Sequence, residues 1–121
     1  MRTIRIEGPG KNSLSSDLMN AIISGLHDAA GEPVLITGAG DAFSAGLNLK
    51  EMAGLDAAGM DRFLRTLEEM VVTLHHYPGP TAAAVNGHAI AGGCVITLCC
   101  DFRIMTTVPK ARIGLNEVAL G

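Results

Sequence analysis

Pro80 to Ile104 reads PTAAAVNGHAIAGGCVITLCCDFRI, and this stretch decides the fold. Thr81 to Val85 is a short run of small and β-branched apolar residues, which predicts a buried strand. Asn86-Gly87 follows as its turn. Ala91-Gly92-Gly93 then opens an apolar helix that runs to about Cys99, and Phe102 to Thr106 predicts the next strand. A strand, a glycine-containing turn, a helix and another strand within so few residues is the signature of an α/β layered domain with parallel pairing.

The pattern extends in both directions. Upstream, Ala57 to about His76 predicts the clearest helix. Met60, Phe63, Leu64, Leu67, Met70, Val71 and Leu74 share one face, and Arg62, Arg65, Glu68 and Glu69 fall opposite. Pro78-Gly79-Pro80 ends it. Pro33 to Thr37 predicts a buried strand, followed by a glycine-containing loop from Gly38 to Gly46 and a short helix near Leu47 to Met52. Ser15 is a helix N-cap, with Leu14 and Met19 spaced as a hydrophobic staple. Leu18, Ile22, Ile23 and Leu26 form that helix's apolar face. Met1 to Glu7 predicts a first strand and Gly8-Pro9-Gly10 a turn. Arg112 and Ile113 predict a short strand near the end.

The chain has 121 residues, 48% apolar and only 3% aromatic, so the expected core is aliphatic. A net charge of −3 argues against nucleic-acid binding, which favours a basic patch. No apolar run reaches the roughly 20 residues of a membrane span, and the start lacks the apolar region of a signal peptide. Cys94, Cys99 and Cys100 show neither disulfide nor zinc spacing. They predict buried free thiols in a reducing compartment, the cytoplasm.

Several chemistries are tested by spacing. Gly38-Ala39-Gly40 follows a strand, but a dinucleotide fingerprint needs glycine at Phe43. His75-His76 are adjacent on a helix and point apart, so they do not share a metal. Ser44 lies outside a nucleophile elbow and is expected to satisfy loop backbone. Two segments of small residues remain, each between a strand and a helix: Ala42 to Glu51 and Ala82 to Cys94. Small residues let a ligand approach backbone N–H groups, and a helix N-terminus adds positive potential. Two N–H groups converging on one point would form an oxyanion hole suited to an enolate derived from a thioester. Tight turns and close helix packing explain the same residues.

Four segments together resemble the crotonase (enoyl-CoA hydratase/isomerase) family. AFSAGLNLKEM (Ala42–Met52) resembles its CoA-binding segment. PTAAAVNGHAIAGGCVITLCCDFRI resembles its second signature. ARIGLNEVALG (Ala111–Gly121) resembles the segment carrying a catalytic glutamate, and GPGKNSLSSDLM (Gly8–Met19) its first loop and helix. The order and spacing match and cover nearly the whole chain.

The resemblance implies a crotonase-like layered α/β fold built from ββα units, incomplete at the C-terminus. Residues 1–121 would be the N-terminal part of a single such domain, since family chains are about twice as long. It implies that the N–H groups of Leu47 and Gly92 form the oxyanion hole. Ala45, Gly46 and Leu49 would hold coenzyme A, and Lys11 and Lys50 would meet its phosphates. Asn48, Ile90, Gly93, Val95 and Asn116 would contact the acyl group, and Glu117 would be the catalytic carboxylate. Coenzyme A would arrive as part of the substrate, with no separate cofactor or metal. A homotrimer or hexamer is implied, with no nucleic-acid or membrane partner.

One departure bears on the reaction. Family hydratases carry two glutamates, and the first of those positions is Val95 here. Hydration needs a positioned water and proton transfer at two carbons, which two carboxylates share. Moving a double bond from C3 to C2 needs one base, which removes a proton at C2 and returns it at C4. The sequence is similar to Δ3,Δ2-enoyl-CoA isomerases, with Glu117 as the single base. Leu115, Val118 and Leu120 supply apolar neighbours that would raise its pKa. Other enolate-forming reactions, or a non-catalytic protein keeping the fold, are the alternatives.

Overall fold

The computed structural model describes residues 1–115. In chain order they form β1 (Arg2–Ile6), a one-turn segment α1 (Pro9–Asn12), α2 (Ser16–Ala29), β2 (Val34–Gly38), β3 (Ala42–Ser44), α3 (Leu49–Ala53) and α4 (Ala57–His75). Then follow β4 (Thr81–Val85), β5 (His88–Ile90), α5 (Gly92–Cys99), β6 (Phe102–Met105) and β7 (Ile113–Gly114).

The strands form two parallel sheets, ordered β1-β2-β4-β6 and β3-β5-β7. The second sheet differs from the expectation of a loop over 38–46 and of a turn leading directly into a helix after Asn86-Gly87. Each stretch contains a three-residue strand, too short for an alternation to show. β3 pairs with β5, and β5 with β7. Successive strands thus come in pairs, one for each sheet: β2 and β3, β4 and β5, β6 and β7. This is the ββα repeat the resemblance implies.

Asn86 braces the bend between β2 and β3. Its amide nitrogen donates to the carbonyls of Gly38, Gly40 and Ala42 at 3.0, 3.0 and 3.2 Å. Its amide oxygen accepts from the Gly38 N–H at 3.0 Å. The dipeptide Asn86-Gly87 is therefore more than a turn. Its side chain satisfies backbone groups that a chain leaving one sheet for another leaves unpaired.

β4 alternates buried Thr81, Ala83 and Val85 with half-buried Ala82 and Ala84. The core is aliphatic, as composition predicts, with Phe43 and Phe63 as its largest members. Ser15 caps α2 by accepting from the Leu18 N–H at 3.1 Å, and the staple residues Leu14 and Met19 are fully buried. α2 packs on α4 and β1, and α5 packs on α4 and on strands of both sheets. Leu64, on the predicted core face of α4, is 46% exposed, whereas Phe63, Met70 and Leu74 are buried. Among the described residues no helix is long and apolar enough to cross a membrane.

Candidate active site

The site forms where three chain segments meet: 9–16, 44–51 and 90–95. Leu14 and Leu47 form an isolated parallel bridge. The Leu14 N–H donates to the Gly46 carbonyl at 2.6 Å, and the Asn48 N–H donates to the Leu14 carbonyl at 3.0 Å. In such a bridge the residue between the two bonded groups turns its own N–H to the other side. The Leu47 N–H accordingly has no acceptor among the described residues.

Gly92 opens α5, where the first N–H groups of a helix have no intrahelical acceptor. Ala91 precedes it at φ 51° and ψ −115° and offers no side-chain cap. The Gly92 N–H likewise has no acceptor among the described residues. The two segments lie close together. A Cβ built on Gly92 would stand 3.6 Å from the Leu47 nitrogen. Gly46, at φ 97°, makes this approach possible, because a Cβ there would lie 2.9 Å from the Ile90 carbonyl oxygen and 3.3 Å from the Gly92 nitrogen.

Buried polar groups fix the loop from below. The Ser44 hydroxyl donates to the Asn12 carbonyl at 2.8 Å and accepts from the Gly46 N–H at 3.2 Å. It satisfies backbone, as expected of it, but from within β3. The buried Asn12 amide donates to the carbonyls of Ala39 and Ala42, each at 2.9 Å. Gly93 is needed for packing. A Cβ there would lie 2.4 Å from the Ser44 carbonyl oxygen, so only glycine lets α5 close on β3. Gly93 is buried against Ser44 and does not line the cavity described next.

A cavity of about 440 Å³ opens beside Leu47 and Gly92. Ala45, Leu49, Met52, Leu67, Val71, Ile90, Ala91 and Val95 also line it, and among the described residues no lining side chain is polar. Met52, Leu67 and Val71 were not singled out in the sequence as site residues. The helical period put Leu67 and Val71 on the core-facing stripe of α4, but periodicity does not separate a core wall from a cavity wall. A second hollow of about 470 Å³ is lined by Pro9, Gly10, Ser13, Ala45, Leu47, Asn48, Leu49 and Lys50. The two share Ala45, Leu47 and Leu49, so an apolar cavity and a more polar trough adjoin at these residues.

Lys50, for which the resemblance implies a contact with the phosphates of coenzyme A, lines the trough. Lys11 is engaged elsewhere. Its ammonium pairs with the Asp41 carboxylate at 3.0 Å and holds that carboxyl below the usual range. Asn48 spends its side chain on structure, accepting from the Glu51 N–H at 2.9 Å and donating to the Ser13 hydroxyl at 3.0 Å. Asn116 and Glu117 lie outside the described residues. The three cysteines are free, and burial pushes the Cys100 thiol up to about 11, far from a reactive thiolate.

The chain resembles known proteins along its whole length. The family model described as enoyl-CoA hydratase/isomerase matches residues 1–121. The mitochondrial enoyl-CoA delta isomerase 1 of Mus musculus is 35% identical over 98% of this chain and 43% of its own length. A putative enoyl-CoA hydratase of Thermus thermophilus is 36% identical over 92% of this chain and 46% of its own. The crystal structure of human mitochondrial delta3-delta2-enoyl-CoA isomerase superposes with a TM-score of 0.92 at 32% identity, over 98% of this chain and 48% of that one. The chain thus spans less than half the length of each of these proteins. With a family match from end to end, the chain belongs to the enoyl-CoA hydratase/isomerase, or crotonase, family.

Proposed function

We propose that this chain supplies the acyl-CoA-binding, carbonyl-polarising part of an enoyl-CoA isomerase. The N–H groups of Leu47 and Gly92 receive the thioester oxygen and stabilise the enolate formed when a C2 proton is removed. The acyl chain enters the aliphatic cavity, and the coenzyme lies along the trough lined by Lys50. Glu117 takes the proton from C2 and returns it at C4, giving the conjugated 2-trans product. No separate cofactor takes part. Residues 1–121 form the N-terminal part of one domain, and the assembled protein is a trimer or hexamer. The lack of disulfide or zinc spacing among its three cysteines supports a reducing compartment, proposed here as the cytoplasm.

The observation that carries this reading is the closeness of two backbone segments, Leu47 and Gly92, whose N–H groups have no acceptor among the described residues and which both line the apolar cavity. Val95 favours isomerisation over hydration. It lines the cavity where family hydratases carry a second glutamate, and among the described residues no lining side chain can serve as that second carboxylate. Relatives named for either reaction match at similar identity, so the choice rests on this residue.

The test mixes the protein with a 3-enoyl-CoA and follows the ultraviolet absorbance of the conjugated thioester. The expected result is a rise in wild type that Glu117→Gln abolishes while retaining coenzyme A affinity. Hydration of a 2-enoyl-CoA, seen as a fall in the same absorbance, would replace the isomerase reading with a hydratase.

A further inference from the structure

Glu51 stands in the first turn of α3, yet its carboxylate serves a different helix. In a capping box the third helical residue reaches back to the N–H of its own cap. Here that N–H, on Asn48, is already bound to the Leu14 carbonyl. The Glu51 carboxylate crosses instead to the N-terminus of α2. One oxygen accepts from the Ser16 N–H at 3.0 Å, and the other accepts from the Ser16 hydroxyl. Glu51 is half-buried in doing so. A negative charge at a helix N-terminus is favourable, and this one stands in the first turns of α2 and α3 together.

The contact closes a ring around Leu47. From Leu47 the chain runs through Asn48, which caps α3, to Glu51. Glu51 binds Ser16 at the start of α2. Ser15 and Leu14 lead back to Leu47 through the parallel bridge. The Asn48–Ser13 hydrogen bond adds a second tie across the ring. The Leu47 N–H is therefore aimed by a frame that the Glu51 carboxylate closes through its two contacts with Ser16.

We infer that Glu51 is a positioning residue that holds the Leu47 N–H in register with the Gly92 N–H. The inference rests on the proposed reading that these groups polarise a thioester carbonyl. Displacing one donor by a fraction of its hydrogen-bond length weakens charge stabilisation far more than ground-state binding.

The test uses a conjugated 2,4-dienoyl-CoA as a chromophore, whose absorbance moves to longer wavelength when its carbonyl is polarised. Wild type should bind it with a red shift. Glu51→Ala should bind it with affinity changed by no more than about twofold, lose most of the red shift, and reduce turnover about 10²-fold. Glu51→Gln, which keeps an acceptor for the Ser16 N–H, should restore most of the shift. Ser16→Ala, which removes the hydroxyl alone, should lose part of it. A red shift kept in full by Glu51→Ala would overturn the positioning role while leaving the carbonyl-polarising reading intact. Binding to wild type without any shift would overturn that reading and the inference with it.

Discussion

At the scale of single residues, the site depends on backbone more than on side chains. In the proposed reading Leu47 and Gly92 contribute N–H groups, and the Leu47 side chain helps to line the apolar cavity. The constraint falls on the neighbours. Ala91 adopts φ 51° with ψ −115°, a region that costs a residue with a Cβ about 1–3 kcal/mol. Ala91→Gly should therefore raise stability by about 1 kcal/mol, read as a higher urea midpoint at unchanged m-value. An unchanged or lower midpoint would show that the surrounding contacts, rather than strain, set the energy at this position. Such residues are only partly legible in sequence. The small-residue runs marked both loops, and the family resemblance assigned Leu47 and Gly92. The Glu51–Ser16 contact was not visible, because it joins helix ends thirty-five positions apart and neither residue type announces a partner.

At the scale of elements, most were readable, including the short α3 and β7, and the three-residue strands β3 and β5 were not. α2 and α4 follow from periodicity, α2 also from its Ser15 cap, β2 and β4 from apolar runs, and β1 and β6 fall where strands are expected at Met1 to Glu7 and Phe102 to Thr106. β3 and β5 span three residues each and carry little pattern of their own. They form because the chain bends out of one sheet and finds a second. Asn86 holds that bend, so its loss should be felt along both strands. Asn86→Ala removes the partner of the Gly38 N–H and of three carbonyls. Leaving part-buried backbone groups unpaired costs about 1–3 kcal/mol, and a drop of this size in unfolding free energy is expected. A loss below about 0.5 kcal/mol would mean that water replaces the side chain without penalty.

At the scale of the whole molecule, one flank is notably apolar. Leu98 on α5 is 60% exposed, and Phe102 and Ile104 on β6 are 64% and 70% exposed. β6 is also an edge strand, paired only with β4 among the described residues. Exposed apolar edges favour association. The isolated chain should therefore self-associate, with a sedimentation coefficient that rises with concentration. Ile104→Lys should shift it toward the monomer. A concentration-independent monomer in wild type would count against the assembly proposed for this protein.

The Leu14–Leu47 bridge has a consequence for exchange with solvent. The amide protons of Leu14 and Asn48 are bonded across it, while that of Leu47 between them has no acceptor among the described residues. Amide hydrogen exchange should record this as a slow–fast–slow triplet, with Leu47 the fast member. A bound thioester would slow Leu47 selectively and leave its neighbours nearly unchanged. That single amide would then act as a native reporter of carbonyl capture, readable without any label or turnover.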